Sequence, residues 1–160
     1  MLNTVEYLVT NGMIRLLHGF SNEECREFLS LGIIKEYSHN DVIVSENQED
    51  INIYLIVEGE ASLWRKNVPI LEFQKGEVFN EIKIYSPRSN NFSVIAEQQT
   101  VIMKFSRNDI LLYFSFKPER LFKIFTLNVI SILLKNIENY EDQLIGFYYQ
   151  SVQLMKNVKS

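Results

Sequence analysis

The stretch from residue 79 to residue 93 concentrates the side chains that could recognise a ligand. It contains a carboxylate at Glu81, a guanidinium at Arg88, and hydroxyl and amide groups at Ser89 and Asn90. Each also has an ordinary structural explanation. A glutamate is favourable near a helix start, an arginine in a polar loop is usually solvated, and Ser and Asn are frequent turn formers. A ligand site and a set of turn residues therefore remain alternatives at this point.

Other residues that could carry chemistry are isolated. A cupin-type metal site needs several histidines and a carboxylate, but the two histidines, His18 and His39, lie apart in the sequence. Cys25 follows Glu24 and lies near further acids, so we expect a raised pKa and a thiol that packs within a helix. The sequence contains no P-loop and no serine elbow. We therefore predict neither an enzyme nor a metal site. A cupin-like enzyme is kept as an alternative function.

Composition restricts the class of protein further. The 160 residues are 46% hydrophobic and 22% charged, which fits one globular domain. The net charge of −4 argues against DNA binding, which usually requires a basic surface. With one cysteine and no signal-like N-terminal pattern, we predict a cytoplasmic protein. The most apolar stretch, 121–134, has 14 residues and includes Lys123, so we expect no membrane insertion.

The hydrophobic pattern divides the chain into three regions. Residues 1–31 have apolar side chains at helical spacing, which predicts an N-terminal helical segment. Residues 32–106 carry short β-branched and aromatic runs separated by turn residues, typical of a small antiparallel barrel. Residues 107–160 return to helical spacing. The predicted fold class is therefore mainly β with flanking helices.

Local signals predict where these elements begin and turn. Ser21 and Glu24 have the spacing of a capping box, which predicts a helix start at Ser21. Gly59 and Gly76 mark tight turns, and Pro118 suits the first turn of a long C-terminal helix.

The long C-terminal helix carries an apolar seam. Its members alternate in steps of three and four over about three and a half heptads, as in a coiled coil: Ile130, Leu133, Ile137, Tyr140, Leu144, Phe147, Ser151 and Leu154. Such a seam needs a partner, so we predict a homodimer through residues 125–155. A single helix lying on the barrel is the alternative, because further apolar residues broaden this face.

Four segments, in order and at nearly the right spacing, resemble the cyclic-nucleotide-binding domains of the catabolite-activator type. The match spans about residues 16–145, and the segments are 17–24 (LHGFSNEE), 41–47 (DVIVSEN), 53–61 (IYLIVEGEA) and 76–82 (GEVFNEI). The resemblance implies a jelly-roll-like antiparallel barrel, or double-stranded β-helix, with N-terminal helices and a long C-terminal helix. It also implies that segment 76–82, called the cassette below, is the family's phosphate-binding cassette.

Departures from the family pattern concern three turn glycines. They are replaced by Asn40, Asn47 and Asn80, and asparagine is the non-glycine residue that best tolerates a left-handed backbone. We therefore expect the chain path to be kept. At Asn80, however, a side chain stands where the family's glycine lets a phosphate approach the backbone closely.

The family's phosphate-pairing arginine is also missing. The resemblance implies that Glu81 binds a ribose hydroxyl and that an arginine nine residues later pairs with the cyclic phosphate. Counting without a gap places Asn90 at that position, and Arg88 lies two residues early. A charge-assisted contact contributes roughly 1.5–3 kcal/mol, so its loss weakens binding roughly ten- to a hundredfold.

The resulting prediction is a stand-alone regulatory module that senses a cyclic nucleotide or related anion weakly and signals through its dimer or a protein partner. The alternative is a degenerate domain that no longer binds nucleotide and acts as a protein-interaction scaffold. No cofactor is expected beyond this candidate ligand, and the 15 residues after Ile145 leave no room for a DNA-binding helix-turn-helix. Predicted ligand-binding residues are Phe79, Asn80, Glu81, Ile82, Arg88, Ser89, Asn90 and Ser93, with Leu127, Ile130 or Leu134 as candidate lid positions.

Overall fold

Two antiparallel sheets form the centre of the protein. The computed structural model describes residues 2–157, and within them eight strands form two four-stranded sheets, ordered β1-β8-β3-β6 and β2-β7-β4-β5. This is the strand order of a jelly roll with two Greek keys, so the predicted fold class is confirmed. The strands are β1 (Ile33–Tyr37), β2 (Val42–Val44), β3 (Ile53–Glu58), β4 (Ala61–Arg65), β5 (Val68–Phe73), β6 (Val78–Phe79), β7 (Ser93–Ala96) and β8 (Thr100–Phe105).

Helices precede the first strand and follow the last strand in the sequence. They are α1 (Leu2–Thr10), α2 (Asn22–Leu29), α3 (Arg107–Ser115) and α4 (Glu119–Asn157), with short 3₁₀ helices at Arg15–Leu17 and Glu81–Ile84. The first helix of the N-terminal segment ends at Thr10. Gly12 adopts a left-handed φ of 60°, which ends the α1 path before the apolar pair Met13 and Ile14.

The predicted start and turn signals are confirmed. The Ser21 hydroxyl accepts a hydrogen bond from the Glu24 amide at 3.2 Å, and the Glu24 carboxylate accepts one from the Ser21 amide at 2.7 Å. The φ angles of Gly59 and Gly76 are 83° and 86°, in the left-handed region that favours glycine. Helix α4 begins directly after Pro118.

The three asparagines that replace family glycines are left-handed, as predicted. Their φ angles are 70° at Asn40, 65° at Asn47 and 66° at Asn80. Two further residues, Lys66 and Asn67, are also left-handed, with φ angles of 50° and 61°. The sequence did not predict them. These two residues form the turn between β4 and β5, where positive φ at both positions matches the twist of the strands.

An aromatic cluster joins the helices to the first sheet. Phe28 of α2 is buried, and its ring centroid lies 5.4 Å from Phe105 of β8, 6.0 Å from Phe114 of α3 and 5.6 Å from Phe125 of α4. Because burial of one such side chain contributes about 1.5–3 kcal/mol, this cluster fixes the start of α4 beside the barrel.

The chain divides into two units, Met1–Val129 and Ile130–Ser160. The first contains both sheets, α1 to α3 and the start of α4. The second is the rest of α4, where the apolar side chains Leu144, Phe147 and Leu154 are exposed. Among residues 2–157, no helix combines the length and the apolar character that crossing a bilayer requires.

Candidate functional site

The cassette leaves the first sheet at β6 and continues into the 3₁₀ helix Glu81–Ile84. Phe79, at the end of β6, is buried, and its ring stacks on Tyr54 at 5.0 Å and on Phe73 at 5.1 Å between centroids. The side chain of Phe79 therefore packs in the barrel core. Its contribution to a site is to hold the cassette in place.

Asn80 forms the left-handed corner between β6 and the 3₁₀ helix. Its side-chain Nδ2 donates hydrogen bonds to the carbonyl oxygens of Asn52 at 2.7 Å and Asp50 at 3.3 Å. Its Oδ1 is buried without a hydrogen-bond partner among the described residues. The side chain is thus held against the segment that precedes β3.

Glu81 follows as a buried acid with only 4% of its surface exposed. Burial raises the pKa of its carboxyl group from the ordinary 4.5 to about 7, although the hydrogen bond from its own backbone amide acts in the opposite direction. A carboxyl group with such a pKa exchanges its proton near neutral pH.

Lys83 is a buried cation that the sequence did not bring to attention. Its exposure is 4%, and its Nζ donates a hydrogen bond to the backbone oxygen of Arg88. Burial lowers the pKa of the ammonium group, while the carboxylate of Asp50 raises it. Lysine is almost never buried without a partner, and its position between Ile82 and Ile84 was the only signal in the sequence.

Asn90 is a predicted site residue whose polar side chain is buried without a hydrogen-bond partner among the described residues. Its backbone is fixed by two hydrogen bonds, from the Asn47 amide to its oxygen at 2.7 Å and from its own amide to the Gln48 oxygen at 3.2 Å. The side chain is 2% exposed, and neither of its amide atoms has a hydrogen-bond partner within residues 2–157. An unpaired buried polar group costs about 1–3 kcal/mol, so this amide needs an explanation.

The 47–52 segment organises these groups. It contacts Asn80 and Asn90 by hydrogen bonds, and the charge of Asp50 acts on Lys83. The Asp50 carboxylate is itself fixed, because it accepts hydrogen bonds from Tyr54 and from the Asn52 amide, each within 2.8 Å. Three buried polar residues, Asn80, Lys83 and Asn90, therefore interact with one short connection.

The remaining predicted site residues lie elsewhere on the surface or in strands. Ile82, Arg88 and Ser89 are exposed. Ser93, at the start of β7, is partly buried, and its Oγ accepts a hydrogen bond from the Glu46 amide at 3.0 Å. The structure thus buries Asn80, Glu81 and Asn90, whereas Arg88 has no buried environment that would fix its guanidinium.

Hydrogen bonds connect the 3₁₀ helix Glu81–Ile84 and the following Tyr85 to the C-terminal helices. The Nε of Arg107, at the start of α3, donates to the backbone oxygens of Lys83 at 3.0 Å and Ile84 at 3.1 Å. The hydroxyl of Tyr85 donates to Thr126 Oγ1 on α4 at 2.8 Å. A displacement of the cassette helix would therefore act directly on α3 and α4.

Cys25 and the candidate metal-binding side chains do not form a reactive site among the described residues. Cys25 is buried in α2, and burial, followed by the charge of Glu24, raises the pKa of its thiol. The sequence predicted this direction but assigned it to the acids alone. Of the side chains in residues 2–157, no three of His, Cys, Asp and Glu come together as a metal-binding group.

The comparison with protein families identifies the chain. The model of the cyclic nucleotide-binding domain matches residues 34–115, which is 82 of 160 residues. The chain belongs to the cyclic nucleotide-binding domain family, as the four sequence segments indicated. No curated protein sequence gives a significant match.

Solved structures show the same fold at low sequence identity. A cyclic nucleotide-binding domain from Methylobacillus flagellatus has a TM-score of 0.77 and 19% identity, with 90% of this chain and 82% of that chain covered. The catabolite activator protein of Thermus thermophilus gives 0.70 and 20%, covering 84% of this chain and 63% of that one. For cAMP-bound PfPKA-R the values are 0.67 and 19%, covering 89% and 45%. The chain therefore spans less than two thirds of the last two proteins.

Proposed function

We propose that this protein is a cytoplasmic, non-catalytic regulatory module that binds a cyclic nucleotide weakly in the cassette and passes occupancy to its C-terminal helix. The observation that carries the proposal is the buried side chain of Asn90, whose two amide atoms are unpaired within the described chain. A ligand with hydrogen-bonding groups would satisfy this amide. Because the chain belongs to the cyclic nucleotide-binding domain family, we propose a cyclic nucleotide as this ligand.

The expected binding mode follows the chain path of the cassette. The phosphate meets the backbone amides of Asn80, Glu81 and Ile82, and the ribose meets the Glu81 carboxyl group. Asn90 and Ser89 supply neutral hydrogen-bonding groups where the family has a cation. Neutral hydrogen bonds contribute about 0.5–1.5 kcal/mol and those to charged groups about 1.5–3 kcal/mol, so residues 89 and 90 hold the phosphate less strongly than an arginine would.

Calorimetric titration of the full chain tests the proposal. We expect saturable heat with cyclic AMP or cyclic GMP and a weaker response to adenosine, which lacks the phosphate. Absence of heat with every cyclic nucleotide at millimolar concentration would reject ligand binding. In that case the scaffold alternative would gain support.

Transmission to α4 is proposed to pass through Tyr85. Replacing Tyr85 by Phe removes the hydrogen bond to Thr126, which contributes about 1 kcal/mol, and leaves the cassette groups in place. We expect nearly unchanged cyclic AMP affinity but a smaller ligand-dependent change in hydrogen exchange at residues 120–129. Tyr148→Phe, at an exposed tyrosine, is the matched control, and equal exchange responses in both variants would contradict this route.

The output is proposed to be a homodimer formed through residues 125–155. The side chains of Ile137, Leu144, Phe147 and Leu154 are all more than half exposed in the single chain, and a coiled-coil partner would cover such a seam. Sedimentation should find a dimer for the full chain and a monomer for Leu144→Asp, whereas Gln143→Asp places the same charge beside the seam and should stay dimeric. A monomeric wild type would contradict the dimer.

A second candidate function is the degenerate scaffold, and one observation favours it. The Nδ2 of Asn80 and the Nζ of Lys83 both donate to backbone oxygens of the chain itself. These two donors are satisfied by the chain itself and need no ligand. The calorimetric titration separates the two functions, because the scaffold produces no nucleotide-dependent heat.

A further inference from the structure

Lys83 is the buried cation of the cassette region. It lies within the 3₁₀ helix, two residues after Glu81, with 4% of its surface exposed. An ammonium group has three N–H donors, and the bond to the Arg88 oxygen uses one of them. A buried ammonium with a single neutral acceptor is well placed to gain from an anion.

Chain geometry places this ammonium close to Asn90. The Nζ of Lys83 contacts the backbone oxygen of Arg88, which is two residues before Asn90. Because successive Cα atoms are about 3.8 Å apart, the ammonium and the backbone of Asn90 lie within about 10 Å of each other. A charged donor therefore contacts the loop that carries the unpaired amide.

A fixed acid nearby favours the charged form of the ammonium, although burial lowers the pKa of Lys83 overall. Asp50 acts on Lys83 electrostatically and raises its pKa against the effect of burial. The Asp50 carboxylate accepts hydrogen bonds from Tyr54 and Asn52. Among the described residues it forms no ion pair with Lys83 Nζ within 4.0 Å. The ammonium therefore has no carboxylate partner of its own within the described residues.

We propose that Lys83 is the cation that pairs with the phosphate of the ligand, in place of the arginine missing at Asn90, and that the site accepts a singly charged phosphodiester. This inference rests on the proposed function and adds a binding residue to it. One buried cation neutralises one negative charge. A phosphomonoester dianion would leave a second charge buried and unpaired, next to the acid Glu81.

Titration of variants with cyclic AMP, AMP and adenosine tests this assignment. Lys83→Met removes the charge and keeps the length of the side chain, and Lys83→Gln keeps a donor for the Arg88 oxygen. We expect each to weaken cyclic AMP binding roughly ten- to a hundredfold and to leave adenosine binding unchanged. Lys35→Met is the matched control, because it removes an exposed cation from β1, outside the predicted site, and it should bind like the wild type. Arg88→Met tests the rival cation in the adjoining loop.

The outcomes separate this inference from the function on which it rests. Wild-type binding that both Lys83 variants retain overturns the role of Lys83 and leaves the proposed function standing. A comparable loss in Arg88→Met overturns it as well, since Arg88 would then supply the charge. Tighter binding of AMP than of cyclic AMP overturns the preference for a singly charged ligand. No binding by the wild type rejects both proposals.

Discussion

Glu81→Gln is expected to make the protein more stable at neutral and alkaline pH and to remove the fall in stability that Glu81 causes between pH 4.5 and about 7. The carboxyl group has its ordinary pKa of 4.5 in the unfolded chain and a pKa of about 7 in the buried site. Folding therefore takes up a proton between these two pH values. The glutamine variant has no such proton to gain.

The sign and size of this effect follow from linkage. Because the folded state holds more protons than the unfolded state in this window, the free energy of unfolding falls as pH rises from 4.5 to about 7. The total loss is about 3 kcal/mol, as one pKa unit corresponds to about 1.4 kcal/mol. Below the window the acid is protonated in both states and this loss is absent.

Urea unfolding across this pH range, without nucleotide, measures the prediction. Wild type and Glu81→Gln should have similar free energies of unfolding at the acidic end and diverge towards pH 7. Glu72→Gln serves as the control, because Glu72 is exposed on β5 and should leave the pH profile unchanged. Parallel profiles of wild type and Glu81→Gln would show that Glu81 is not the group responsible.

Restoring a cation at residue 90 is the second large change that we predict. Asn90→Arg places a guanidinium at the position where the family pattern has its phosphate-pairing arginine. A charge-assisted contact adds roughly 1.5–3 kcal/mol, which corresponds to roughly ten- to a hundredfold tighter binding of cyclic AMP. Calorimetry gives the affinity, and thermal unfolding establishes that the variant folds.

Asn91→Arg is the matched control for this variant, because Asn91 is the exposed neighbour and receives the same charge. It should bind cyclic AMP like the wild type, and neither variant should change adenosine binding. If a folded Asn90→Arg gains nothing over Asn91→Arg, residue 90 does not face the phosphate.

The fold was predictable where short-range chemistry decides the structure. Alternating apolar runs marked the strands, and the Asn residues at 40, 47 and 80 indicated left-handed corners that the structure confirms. The turn at Lys66 and Asn67 escaped prediction, since lysine carries no signal for positive φ. In that turn the pairing of β4 with β5 overrides local preference.

The candidate site was predictable only in part, because its key features depend on burial. Family spacing singled out Glu81 and Asn90, but it did not reveal that both are buried or that the Asn90 amide is unpaired. The Asn90 backbone is held by Asn47 and Gln48, more than 40 residues earlier in the chain. Lys83 escaped because a lysine is ordinarily expected to be solvated, even between two isoleucines. The contact between Tyr85 and Thr126 joins residues 41 positions apart, a distance over which hydrophobic periodicity carries no information.

The most direct test of ligand binding in the cassette is two-dimensional NMR of the nitrogen-labelled chain during titration with cyclic AMP. The side-chain amide signal of Asn90, assigned by comparison with Asn90→Asp, reports the group on which the proposed function rests. We predict a saturable shift of this signal, together with the backbone amides of residues 80–83. Unchanged signals at millimolar cyclic AMP would contradict the account and leave the barrel as a scaffold.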